Sequence, residues 1–180
     1  MDNNELKTLH QGNHLTMVAR GNWEYVQRNT NKPAVGIVAI TDENKVVLVE
    51  QFRPPVNSRV IEIPAGLSGD IPGAEDEALI EAAKRELIEE TGYTAKHWQN
   101  LGGGFSSPGM TDETIELFLA EGLEKQHAGG GDASEDITIH EVPIKSVFQW
   151  LQKHKTPLDI KLLAALFAAE QYKTNLKGEK

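Results

Sequence analysis

Glu86, Glu89 and Glu90 carry the strongest chemical signal in this chain of 180 residues. Their spacing of i, i+3 and i+4 puts three carboxylates on one side of a helix if the segment is helical. The segment predicts a helix over about residues 76–91: Pro72-Gly73 punctuates its start, Asp76 is an acceptable N-cap, and Gly92 stands where a left-handed C-terminal cap belongs. Turning about 100° per residue from Leu79, Ala82, Ala83 and Leu87 fall at about 300°, 40° and 80°, the arc meant for the core. Glu86, Glu90 and Glu89 land at about 340°, 20° and 280°, within or beside that arc, while Glu77, Lys84 and Glu81 lie opposite. A glutamate-rich helix is ordinarily a solvated face. Here the angles argue for a site, because clustered and desolvated carboxylates repel one another unless a cation joins them. Hard oxygen donors of this kind suit Mg²⁺, with Mn²⁺ as a substitute, and not zinc. Arg85 lies between Glu81 and Glu89, within i,i+4 reach of each, and its guanidinium fork is suited to orienting Glu89.

The elements around this helix read as mixed. His14 to Ala19 and Trp23 to Asn29 alternate apolar and polar residues around Gly21-Asn22, a hairpin pattern. Ala34 to Ile40 and Lys45 to Phe52 are β-branched strands joined by the polar turn Thr41-Asp42-Glu43-Asn44, and Arg59 to Ile63 is a third strand that stops at Pro64. Further strands are expected near Thr114 to Ala120 and Asp136 to Val142, followed by helices at about residues 144–153 and 158–173. Strands of this kind with one central helix and terminal helices indicate an α+β domain.

Composition narrows the functions available. With 39% hydrophobic residues the chain can bury one good core. A formal charge of -9 argues against a nucleic-acid backbone as partner. The absence of cysteine excludes disulfides, thiolate zinc sites and thiol nucleophiles. A polar N-terminus and the lack of a long apolar run leave no membrane partner and make the cytoplasm the expected location.

Arg85-Glu86-Leu87-Ile88-Glu89-Glu90-Thr91-Gly92-Tyr93 resembles the Nudix box, whose pattern ends R-E-U-x-E-E-x-G-U with U aliphatic or aromatic. Every fixed position of that half is filled, and Glu77 matches the glutamate ahead of the arginine. The first glycine of the pattern would fall on Ile71, so the sequence departs there; Gly66 or Gly69 takes its place, with a longer loop over 67–76. Leu48 to Pro55, Glu62 to Gly66 and Ser106 to Glu113 are similar to flanking motifs of the branch that hydrolyses ADP-ribose and nucleoside diphosphate sugars. Pro108, sixteen residues after Gly92, is a mark of that branch.

The resemblance covers roughly residues 23–168 and implies a Nudix fold, a mixed β-sheet sandwiched between helices. Residues 34–175 would form that domain, and residues 1–33 an N-terminal segment for base binding and dimerisation. It implies Mg²⁺ held by Glu86, Glu89, Glu90 and the Ala65 carbonyl, and substrate phosphates met by Arg53. Trp23, Tyr25 and Arg28 match the segment that stacks on the base in relatives, often across a homodimer, although aromatic residues at such positions are more often core. The general base would come from the acidic, glycine-rich stretch over 129–136, with Glu135 first, Asp132 and Asp136 as its other acids, and Ala133 where some relatives carry the glutamate. The three glycines there would permit closure over substrate. The implied reaction turns ADP-ribose or GDP-mannose type substrates into a nucleoside monophosphate and a sugar phosphate. Hydrolysis of nucleoside triphosphates or dinucleoside polyphosphates is the alternative within the family; a non-catalytic nucleotide-sugar sensor is the alternative outside it. His127 and His140 show no sequence partner and receive no role.

Overall fold

The computed structural model describes residues 5–30, 32–71, 73, 75–131 and 136–178. Three N-terminal strands, β1 (Leu6–Gln11), β2 (Leu15–Arg20) and β3 (Trp23–Arg28), form a small antiparallel sheet. The β2–β3 hairpin matches the sequence pattern and turns at Gly21, whose φ of 60° suits glycine. Strand β1 is not expected from the pattern. Its register shifts between Thr8 and His10, which breaks the alternation that would have marked it, and all six of its residues are exposed.

The main sheet has seven strands and runs in the order β10-β5-β4-β9-β8, with β6 on β5 and β7 on β4. Its members are β4 (Ala34–Ile40), β5 (Lys45–Arg53), β6 (Ser58–Glu62), β7 (Ala65–Leu67), β8 (Tyr93–Phe105), β9 (Thr114–Lys125) and β10 (Thr138–Pro143). Strands β4 and β9 are parallel and the other pairs antiparallel, so the sheet is mixed. Central strands β4 and β5 are buried on both faces, which is why they read as continuous apolar runs. Helix α1 (Leu79–Thr91) packs on one face through Ala82, Ala83 and Leu87 against Val35, Ile37 and Val47. Helices α2 (Val147–His154) and α3 (Ile160–Gly178) cover the other, where Leu151, Leu162 and Ala169 join Val38, Leu48 and Val142. The result is the expected sandwich. Strand β8 is a further addition: its edge position and three consecutive glycines give it little strand propensity, and pairing with β9 overrides that.

Among the described residues no helix is long and apolar enough to cross a membrane.

Candidate active site

Helix α1 starts at Leu79 with Ala78 as its N-cap, three residues later than the sequence suggests, and Ala78 has no side-chain acceptor to cap it. Asp76, the expected cap, instead lies 3.4 Å from Lys32 Nζ. The delay frees Glu77 from the helix. Its Oε1 accepts from the Gly69 N–H at 2.9 Å and from Arg85 Nη2 at 3.0 Å, so Glu77 faces inward and not to the solvent side assigned by helical angles. The C-terminus behaves as expected: Gly92 has φ 70° and its N–H bonds to the Ile88 carbonyl.

The three box glutamates take distinct positions. Glu86 is 8% exposed and Glu90 2%, whereas the Glu89 side chain is 51% exposed at the rim. Burial of two carboxylates on a core-facing arc agrees with the angular argument; Glu89, at the edge of the arc, turns outward. Ala65 on β7 donates its N–H to Glu90 Oε2 at 3.0 Å. Gly66, next along β7, lies so close to Glu86 that a Cβ built there would fall inside the carboxyl group. Of the two glycines offered by the sequence, Gly66 makes the close approach to the box, and Gly69 holds the loop through Glu77.

Arg85 is the hub. Its Nη1 donates to Glu86 Oε1 at 2.7 Å and to Glu89 Oε2 at 3.3 Å, and its Nη2 donates to the Leu67 carbonyl at 2.9 Å and to Asp70 Oδ1 at 2.8 Å. The expected contact with Glu81 is not made, because Lys84 takes Glu81 at 2.8 Å. Burial opposes the charge on Arg85, but Glu77, Glu86 and Asp70 outweigh it and raise its pKa. Glu77 is correspondingly held below its usual value by the Arg85 hydrogen bond. Glu86 goes the other way: burial pushes its carboxyl up to about 7, and the Arg85 charge does not compensate.

A cleft of about 380 Å³ opens here, lined by Glu86, Glu89, Ala65 and Gly66. Glu90 sits behind this lining. Four cations also line the cleft, each held by a carboxylate: Arg28 by Glu113 at 2.5 Å, Arg53 by Glu62 at 2.8 Å, Arg85 of α1 itself by Glu77, and Lys161 by Asp159. Glu62 is 6% exposed, and burial raises its pKa against the pull of Arg53. Lys161 and Asp159 carry no sequence signal, since no spacing links α3 to the box; Glu113 closes the 106–113 motif, but its pairing with Arg28 is visible only in the fold.

Trp23, Tyr25 and Pro108 meet in a separate hollow of about 300 Å³ with Phe105 and Arg20. Trp23 is 62% exposed and donates its indole N–H to the Gly109 carbonyl at 3.2 Å, so it is not a core residue. Strand β3 is fastened beside this loop by the Val26 N–H to Met110 carbonyl bond and by Gln27 with Asp112. Arg28 points from the same strand to the carboxylate cleft and not into the hollow.

Glu135, with Asp132 and Ala133, lies outside the described residues. The glycines before them are described and make backbone contacts. Gly130 and Gly131 donate their N–H groups to the Glu90 and Glu89 carbonyls at 2.8 and 3.1 Å, so this stretch docks onto the last turn of α1. Asp136 is bound by Arg59 at 2.9 Å.

The cleft meets the requirement for a divalent cation in its donor chemistry: two desolvated carboxylates and a third at the rim, with a glycine backbone where any side chain would intrude. Comparison with known proteins decides the family, since residues 30–166 match the NUDIX domain. The chain belongs to the Nudix family. It is similar to the methanol dehydrogenase activator of Bacillus methanolicus, 40% identical over 134 residues, which cover 74% of this chain and 69% of the relative. It is also similar to the ADP-ribose pyrophosphatase of Bacillus subtilis (strain 168), 38% identical over 126 residues, covering 68% of this chain and 64% of the relative. The chain thus spans about two thirds of the length of these relatives. A crystal structure of an ADP compounds hydrolase superposes with a TM-score of 0.73 at 22% identity, covering 97% of this chain and 93% of that one. That likeness supports the Nudix fold seen here.

Proposed function

We propose that this Nudix protein hydrolyses the pyrophosphate bond of nucleoside diphosphate sugars, of the ADP-ribose or GDP-mannose type, with Mg²⁺ as cofactor. The single observation that carries the reading is the juxtaposition, in one cleft, of the Glu86 and Glu89 carboxylates on α1 with the cations Arg28, Arg53 and Lys161. A cation joined to the first would meet the phosphate oxygens of a diphosphate whose other oxygens reach the second.

Glu86, Glu89, Glu90 and the Ala65 carbonyl would hold the metal. When bound it supplies positive charge against phosphate oxygens and a Lewis acid for water activation. Arg85 fixes the Glu86 and Glu89 carboxylates, so it acts as a positioning residue. Arg53, Arg28 and Lys161 bind and orient the phosphates; their carboxylate partners hold each side chain in place before substrate arrives. Glu135 is the proposed general base, delivered from the segment that Gly130 and Gly131 anchor to the end of α1. Trp23, Tyr25 and Pro108 offer apolar surface for the base. Residues 1–33 serve base binding and dimerisation, with the homodimer acting in the cytoplasm. The relative named ADP-ribose pyrophosphatase supports the substrate class.

The test is incubation of folded protein and Mg²⁺ with a panel of nucleoside diphosphate sugars, nucleoside triphosphates and dinucleoside polyphosphates, with product identification. Release of nucleoside monophosphate and sugar phosphate is expected from the first group. An inert first group, or faster turnover of either other group, rejects the reading.

A further inference from the structure

On the opposite face of the main sheet, three residues from three elements converge on one point. Glu50 lies on β5, His140 on β10 and His154 at the end of α2. Glu50 pairs with Thr138 and His140 with Leu48, so all share the sheet face on which Leu48 and Val142 pack beneath α2 and α3. The box helix covers the other face. Glu50 Oε2 is 2.9 Å from His140 Nε2 and 3.1 Å from His154 Nε2. Burial works to raise the Glu50 carboxyl, yet hydrogen bonds from His140, His154 and Arg59 outweigh it and hold the group below its usual value. An ionised carboxylate only accepts, so both Nε2 atoms donate to it.

The surroundings fix all three ligands. Arg59 donates from Nε to Glu50 Oε1 at 3.1 Å and from Nη2 to the Glu50 carbonyl at 2.7 Å, which sets the carboxylate's rotation and leaves Oε2 toward the imidazoles. Asp136 pairs with Arg59 at 2.9 Å and offsets its charge. Trp150 stacks on His154 with ring centroids 4.4 Å apart and 17° between planes, and it also lies 5.0 Å from the His140 ring. None of these contacts is used by the carboxylate cleft.

We propose that Glu50, His140 and His154 form a binding site for a nitrogen-preferring divalent cation of the zinc class. Two imidazoles and a carboxylate are a donor set for Zn²⁺, whereas Mg²⁺ prefers all-oxygen sites. A tetrahedral zinc with ligands about 2.1 Å away separates its donor atoms by roughly 3.4 Å. The present N···O separations of 2.9 and 3.1 Å therefore need to open by only a few tenths of an ångström. On binding, each histidine places its proton on Nδ1 and frees Nε2 for the metal, with no net change for a neutral ring. The His154 side chain is 29% exposed, so the trio is open to solvent on that side, and a water would serve as fourth ligand. The cation would tie α2 to β5 and β10, and Arg59 would extend that brace to Asp136, where the chain re-enters β10. This inference stands apart from the hydrolytic reading.

The test uses the full chain carrying Glu86→Gln and Glu90→Gln, so that the carboxylate cleft does not compete, in saturating Mg²⁺. Calorimetric titration with ZnCl₂ is expected to show about one equivalent bound, with His154→Gln lowering the affinity at least about a hundredfold, beyond the usual effect of losing a ligand's supporting partner. Co²⁺ substitution is expected to give the absorption of a tetrahedral site with nitrogen ligands. Glu50→Gln is a harsher variant; His154→Gln at the helix end keeps the test valid if Glu50→Gln does not fold. Absence of zinc binding, unchanged affinity in folded His154→Gln, or a Co²⁺ spectrum of purely octahedral oxygen ligation overturns the proposal and leaves a hydrogen-bonded trio only.

Discussion

Glu50 and Glu86 lie on opposite faces of the same sheet with nearly equal side-chain exposure, 12% and 11%, yet their acidities diverge. Glu50 has three donors and is held below its usual value, while Glu86 has Arg85 and is pushed up to about 7. Desolvation is the largest influence on both carboxyls and is heavier at Glu86; together with fewer donors it pushes Glu86 up, while three donors hold Glu50 down. On the proposed reading, Glu86 would gain a cation it lacks, whereas Glu50 would exchange two imidazole N–H donors for one, each ring moving its proton from Nε2 to Nδ1.

The comparison breaks most visibly in turnover. Glu86→Gln should lower Mg²⁺-dependent hydrolysis at least about a hundredfold with an unchanged circular dichroism spectrum, while Glu50→Gln should leave it within about threefold. Equal losses in steady-state assays would erase the distinction between the faces. A smaller effect is expected at Gly66, where a Cβ would displace the Glu86 carboxyl. Gly66→Ala should raise the Mg²⁺ concentration for half-maximal rate at least about tenfold. Gly104→Ala, where a Cβ meets nothing within 4 Å, serves as the control and should not move it.

Arg85→Lys sharpens the role of the hub, because an ammonium cannot span Glu86, Glu77 and the Leu67 carbonyl as the fork does. A destabilisation of about 2 kcal/mol is expected in urea unfolding, the scale of one or two charged hydrogen bonds. The smallest effect is in pH dependence, measured in EDTA as the difference in Tm between wild type and single variants. Glu86, raised above its ordinary 4.5 to about 7, contributes stability that is complete below 4.5 and is lost as pH rises through 7. Glu50, lowered in the fold, contributes stability that is present above 4.5 and is lost as pH falls below it. The wild-type minus Glu86→Gln and wild-type minus Glu50→Gln differences should therefore have opposite slopes.

Much of the cleft was legible because a helix repeats with a fixed angle. Glu86 and Glu90 fall on the arc of Ala82, Ala83 and Leu87, and the fold buries them there. The same reasoning failed for Glu77, because the helix begins two residues after it and no helical angle applies. Helical periodicity also says nothing of Lys161, which reaches the cleft from α3 through tertiary placement alone, or of the Arg28 pairing made by Glu113 of the 106–113 motif. Buried strands β4 and β5 were readable from apolar runs, whereas β1 and β8 were not, since a shifted register and a glycine-rich edge erase local pattern. His140 had no partner in sequence because Glu50 is 90 residues away and His154 lies on a helix that packs back over the sheet.

The central claim, that the α1 carboxylates seat a divalent cation, is tested most directly by Mn²⁺ binding without substrate, followed by electron paramagnetic resonance. Wild-type protein and Glu50→Gln should bind Mn²⁺ alike, and Glu86→Gln and Glu90→Gln should bind it at least about tenfold more weakly. Unaltered binding by Glu86→Gln and Glu90→Gln, or no binding by the wild type, would contradict the account.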